Sequence, residues 1–283
     1  MSVALALLTS DPNLMRCELR RLEGQVRLRA DEGHANAMGL GSYDGDDVLL
    51  ERLPGDTDAP LESLAPRHAT PALLVHRGRL PVGLSLEENT QPFRSRHWLF
   101  AHTGVLEDFS ALRAGLLAAL PDFLRRQVRG DTDSEVLFAH ALKRLWETGH
   151  ADDPRLPAET AGRVLAATAR ELSRASAAAG AARTSRVNLL ATNGALLVAT
   201  RLGTQPLYYT RLEGTAHCDV CGLTPETPES QPGVVAHRRR HTVVVATHPQ
   251  RPAGWVELAE GTTLTVDAEL RLRTLPAEPQ PPK

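Results

Sequence analysis

Cys218 and Cys221 stand two residues apart, and fifteen intervening residues lead to His237 and then, past three arginines, to His241. Two thiolates and two imidazoles at this spacing can close a tetrahedron around zinc, as structural sites do. The segment from about 213 to 241 is rich in proline and builds no apolar core of its own, so an ion would replace one. The competing reading is a pair of idle cysteines beside surface histidines. If His237 and His241 already lie on a strand, their rings stand about 13 Å apart at about 3.3 Å per residue. One of them would then join His217, or a water, to complete the set. The arginine run between them could touch nucleic acid, but three arginines more often make a solvated face.

The flanking elements read as strands, then helices, then strands. Short apolar runs at 3–8, 47–53, 72–76 and 98–102 are bounded by Gly, Pro, Asp or Ser. A helical pattern covers 107–128, with Pro121 set to break it. A second helix starts at Asp133 or Ser134, either of which can cap it, and an alanine-rich third spans 159–179, suited to close packing. Strands return at 187–192, 195–201, 206–211, 242–247, 262–267 and 269–274. Asn193-Gly194 and Asp267-Ala268 mark the clearest hairpins. Segments 55–70 and 213–234 read as loops, and 276–283 as a disordered tail. This order indicates an α+β or layered αββα fold, not a doubly wound sheet. A single domain over 1–275 follows, with an insertion at about 213–241.

Composition narrows the function. Of 283 residues, 42% are hydrophobic and 23% charged, a globular balance. Lys plus Arg number 32 against 34 for Asp plus Glu, a net charge of -2, which argues against nucleic acid and an anionic membrane as partners. Three cysteines give no disulfide framework, and no targeting or membrane-spanning run is present, so the expected location is the cytoplasm.

Five segments, in order and over nearly the whole chain, resemble the class II glutamine amidotransferases of the N-terminal-nucleophile hydrolase superfamily, and within them the stand-alone bacterial type. They are the opening strand from Ser2 to Pro12, Glu88-Asn-Thr-Gln-Pro-Phe93, Phe100-Ala-His-Thr-Gly104, Gly130-Asp-Thr-Asp-Ser-Glu135, and 196–201 with 206–209. Gly39–Tyr43 is a weaker echo. The resemblance implies an αββα fold and a catalytic residue exposed after the initiator Met, whose α-amine activates its own side chain. It further implies an oxyanion hole from an Asn side chain and a Gly N–H, an Arg for the substrate carboxylate and an Asp for its ammonium.

Placed on this chain, the nucleophile is Ser2 where the family has Cys, and the oxyanion pair is Thr103 and Gly104 where it has Asn and Gly. The carboxylate Arg falls on Gly78, with Arg77 and Arg79 on either side. In a strand, those neighbours point away from the site unless a bulge intervenes. Asp133 is retained, although Asp-Ser also makes a good helix cap. Gln91 replaces a family His. Three altered positions point to a catalytically degraded relative that binds a protein partner or a small amide ligand. The alternative is an active amidohydrolase or glutaminase using Ser2 on a γ-glutamyl-type amide.

Overall fold

The structure is a computed structural model and describes residues 2–28, 35–55, 57, 59–153, 155–251 and 253–276. The chain begins with β1 (Val3–Thr9), α1 (Met15–Leu22), β2 (Ala37–Asp44), β3 (Asp47–Pro54) and β4 (Ala72–Gly78). A short α2 (Leu86–Asn89), β5 (Phe93–Ser95) and β6 (Trp98–Val105) follow. Next come α3 (Phe109–Ala118), α4 (Asp122–Arg125), α5 (Asp133–Glu147) and α6 (Ala158–Ala178). The second half holds β7 (Arg186–Thr192), β8 (Leu197–Leu202), β9 (Tyr208–Leu212), α7 (Pro232–Arg239), β10 (Thr242–Ala246), β11 (Val256–Glu257), β12 (Thr262–Val266) and β13 (Leu272–Pro276).

The strands form two antiparallel sheets, ordered β11-β9-β10-β1-β4-β2-β3 and β13-β12-β8-β7-β6-β5. The sheets face each other. Alternation along β1 explains why all seven of its residues are buried. Ala4, Ala6 and Leu8 meet Leu99, Ala101 and Leu190 of the opposite sheet. Val3, Leu5 and Leu7 face outward, onto Met15, Leu19 and Leu22 of α1. A strand covered on both faces therefore reads as an unbroken apolar run.

On the other side, α5 and α6 cover the second sheet, with Phe100 stacked on Phe138 at 5.0 Å between ring centres. The alanines of α6 allow close approach. A Cβ placed on Gly162 would come within 2.5 Å of the Thr265 methyl on β12. The result is the αββα layering the sequence implied, with the layer over the first sheet thin and built around α1. No helix among the described residues is long and apolar enough to cross a membrane.

Several local expectations change. The helix expected over 107–128 breaks at Pro121 into α3 and α4, but α3 buries none of its residues fully. Helix α1 and strand β2 are elements that the apolar pattern of the sequence does not announce. The segment after β9 is not loop throughout, because Pro232 opens α7 from its first turn. Pro276 ends β13 and so belongs to the sheet, while the rest of the expected tail lies outside the described residues.

Candidate functional site

The end of β1 brings Ser2 beside β4. The register pairs Val3 with Arg77, which sets Ser2 against Gly78. A Cβ built on Gly78 would lie 3.3 Å from the Ser2 Cβ and 3.0 Å from Cε1 of His76. Even-numbered residues of β4 share the face turned toward the second sheet, as Leu74 does in the inter-sheet core. The lack of a side chain at Gly78 therefore lets the Ser2 side chain and the His76 ring come close to each other.

His76 is 5% exposed, and its Nε2 has no hydrogen-bond partner. Burial, then the nearby His102 ring, push its pKa down to about 3, partly opposed by the His102 carbonyl. The ring is neutral at any physiological pH and presses against β6 at the level of His102.

On β6, Thr103 points into the inter-sheet layer, on the side of Leu99 and Ala101. It is fully buried, and its Oγ1 has no partner. Directly across the ladder stands Asn188 of β7, also fully buried. Its Nδ2 donates to the Gln205 carbonyl at 3.1 Å, while its Oδ1 has no partner. Gly104 follows at φ +126°, where only glycine is comfortable, and a Cβ there would sit 1.9 Å from the Arg186 carbonyl oxygen.

A polar network on the helix side of β6 fixes this end of the strand. The His102 N–H donates to Gln91 Oε1 at 2.6 Å, and Gln91 Nε2 donates back to the His102 carbonyl at 3.2 Å. Gln91 also donates to Ser134 Oγ at 3.2 Å, and Ser134 Oγ donates to Asp133 Oδ1 at 3.1 Å. Ser134 has one proton, so His102 Nδ1, 2.9 Å away, is the donor in their contact. This leaves Nε2 of a neutral His102 as the free ring nitrogen, and burial lowers its pKa despite the opposing Asp133 charge.

Asp133 is drawn into structure. Its Oδ2 accepts the Leu106 N–H at 2.8 Å, tying the end of β6 to the first turn of α5. The expected cap on α5 is absent, since Thr132 is the N-cap residue and makes no side-chain cap bond. The arginines behave as strand geometry requires. Arg77 projects to the outer face and donates to the Leu28 and Thr57 carbonyls at 3.2 and 3.0 Å. Arg79 lies past the end of β4, exposed. Neither joins the space beside Ser2. A cleft of about 870 Å³ lies between the edge strands and α5, and among the residues lining it are Arg52, Arg94, Glu87 and Phe138, but not Ser2 or Thr103.

The metal-type residues gather elsewhere, on the outer face of the first sheet. Cys218, Cys221 and His237 come together, and Cys17 of α1 makes the fourth member. One ligand atom from each lies within 4.8 Å of all the others. His241 is not among them. Its Nδ1 is 2.7 Å from Glu213 Oε2, and it lies beyond the end of α7, while His237 lies inside that helix. The strand that would have held the imidazoles apart begins only at Thr242. Exposed His217 is also outside the group. Cys17, Gln91, His76 and Asn188 were the residues missed. A cysteine 201 positions from Cys218 gives no local signal, whereas Gln91 stood inside a recognised segment.

A family profile for the class-II glutamine amidotransferases matches residues 22–280. The gamma-glutamyl-hercynylcysteine sulfoxide hydrolase of Mycobacterium tuberculosis is 29% identical over 195 residues, 65% of this chain and 66%, just under two thirds, of that protein. A glutamine aminotransferase class-II domain protein from Silicibacter pomeroyi superposes with a TM-score of 0.61 at 23% identity, over 98% of this chain and 100% of that one. Glutamine phosphoribosylpyrophosphate amidotransferase from Bacillus subtilis superposes with a TM-score of 0.53 at 14% identity. That match covers 98% of this chain and 49% of the other. The structural matches carry the fold, which is that of the N-terminal-nucleophile hydrolases.

Proposed function

Because the chain belongs to the class II glutamine amidotransferases, we propose that it is an amide hydrolase whose nucleophile is Ser2, exposed by removal of Met1, acting on a γ-glutamyl-type amide. One observation carries this reading over the degraded one. Thr103 Oγ1 and His76 Nε2 are buried polar atoms without partners on the inter-sheet side, and the His76 ring and Ser2 both flank Gly78. Each such atom costs about 1–3 kcal/mol. A site kept only for its shape would lose them to apolar side chains at no penalty, and a catalytic role is one of the explanations an orphaned polar group in a native fold calls for. The Mycobacterium tuberculosis relative, a hydrolase with a γ-glutamyl compound in its name, supports the same class of reaction.

In this reading the α-amine of Ser2 takes the proton of its own hydroxyl as Oγ attacks the amide carbonyl. The Thr103 hydroxyl and the Gly104 N–H donate to the oxyanion. The proton passes to the leaving amine, and water then hydrolyses the acyl ester on Ser2. The neutral His76 ring beside Gly78 adds no charge that would repel a protonated amine.

Gly78 favours a second reading, a binding protein without turnover, because it supplies no guanidinium for a substrate carboxylate. The two are separated by release of amine from γ-glutamyl amides, glutamine included, with intact mass measured on the same sample. Loss of Met1, and hydrolysis that Ser2→Ala abolishes, support the hydrolase. Retained Met1 with no release above background overturns it in favour of the binding protein, and release unchanged by Ser2→Ala removes Ser2 as the nucleophile.

A further inference from the structure

We propose that Cys17, Cys218, Cys221 and His237 bind one zinc ion, and that this ion fastens the segment between β9 and β10 to α1. The ligands come from three places in the chain. Cys218 and Cys221 lie on a tight loop closed by paired backbone bonds. Cys218 N donates to the Leu223 carbonyl and Leu223 N to the Cys218 carbonyl, both at 3.0 Å. Gly222 takes φ +66° within it, a left-handed turn that suits glycine. The loop presents both sulfurs to one side. Helix α1 supplies Cys17, whose Sγ is 3.5 Å from that of Cys221. Two thiolates on one tetrahedral zinc lie about 3.7 Å apart for Zn–S bonds of about 2.3 Å, so the sulfur spacing is already close to that of a loaded site.

His237 is set as a ligand. It is 2% exposed on α7, and its Nδ1–H donates to the Gly233 carbonyl at 2.8 Å. That bond fixes the tautomer and leaves the Nε2 lone pair free, and Nε2 has no hydrogen-bond partner. Metal-bound histidines are held in this way, with the far nitrogen donating to a carbonyl.

Three thiolates and zinc carry a net charge of -1, which needs a cation nearby if buried. Arg240 is 1% exposed, its charge is felt at Cys221, and its Nη1 and Nη2 have no hydrogen-bond partner. Its Nε pairs with the equally buried Glu18, the residue after Cys17. Three thiolates and an imidazole at tetrahedral spacing select zinc over the oxygen-preferring divalent ions. Four protein ligands leave no open position, so the ion is structural.

The test is elemental analysis of the full chain, purified without a metal-binding tag, with Cys17→Ser and His241→Ala alongside. The expected result is about one zinc per chain, kept by His241→Ala and reduced to under about a tenth by Cys17→Ser. Should Cys17→Ser fail to fold, the unmutated protein reconstituted with cobalt decides. The intensity of its thiolate-to-cobalt charge-transfer band counts three sulfur ligands if the assignment holds. A band for two sulfurs, loss of metal from His241→Ala, or metal-free native protein overturns it. A mass two hydrogens lower with no metal, marking a Cys17–Cys221 disulfide, overturns it as well.

Discussion

Gln91 grips the main chain of His102 from both sides, its Oε1 accepting from the N–H and its Nε2 donating to the carbonyl. Strand β5 pairs Phe93 with Phe100, a register that, continued by two residues, would place Gln91 opposite His102. Pro92 interrupts the ladder there, having no N–H to give. The Gln91 side chain makes the missing rung, and so holds the strand end that carries Thr103 and Gly104.

Replacing Gln91 with Ala leaves both main-chain groups of His102 buried and unpaired. The expected loss is about 2–6 kcal/mol, from about 1–3 kcal/mol for each of the two groups. Urea unfolding followed by circular dichroism measures it. A change under about 0.5 kcal/mol, the range of neutral surface substitutions, would mean that the amide is not needed as a rung.

Thr103→Val separates catalysis from stability. The substitution removes a buried hydroxyl without a partner and keeps the shape, so stability should hold or rise. If the hydroxyl donates to an oxyanion, kcat should fall by about 10²-fold with KM little changed. Unchanged kcat would remove Thr103 from the reaction.

Gly104 and Gly78 should respond differently to alanine. At Gly104 the added methyl meets the Arg186 carbonyl, and the positive φ adds strain. A loss of about 3 kcal/mol or more is expected, seen as a lower melting temperature. At Gly78 the methyl would stand 3.0 Å from the His76 ring and 3.3 Å from the Ser2 Cβ, so the ring must give by a few tenths of an ångström and the methyl crowds Ser2. Gly78→Ala should fold nearly as well as the parent and turn over more slowly. Full activity there would show that substrate does not approach Ser2 past Gly78.

Buried His76 makes stability depend on pH. In the unfolded chain the imidazole binds a proton below about pH 6.5, while in the fold it does so only near pH 3. Between those values the unfolded state holds more protons, so stability falls on acidification, by up to about 1.4 kcal/mol per pH unit from this group. The depressed His102 acts in the same direction. Unfolding of the parent and of His76→Gln at pH 7 and pH 5 tests this, and the parent should lose more. Equal losses would show that His76 is not held neutral by the fold.

The amino-acid pattern by itself determined the layering and the family. Apolar runs of strand length, helical stripes between them and five ordered segments are local signals, and each survives folding because both faces of the central strands are covered. It also foretold that Arg77 turns away from the site, since period-two alternation leaves no choice. Only the tertiary structure decided which groups meet. The fourth member of the metal-type cluster, the Cys17 thiol, comes from α1, and chain distance says nothing about contact across a sheet edge. His241 was excluded by one helix ending at Arg239, a boundary that depends on where β10 pairs with β1. The partnerless state of Thr103 Oγ1 and His76 Nε2 likewise arises from two sheets pressed together, because only the opposing layer buries them.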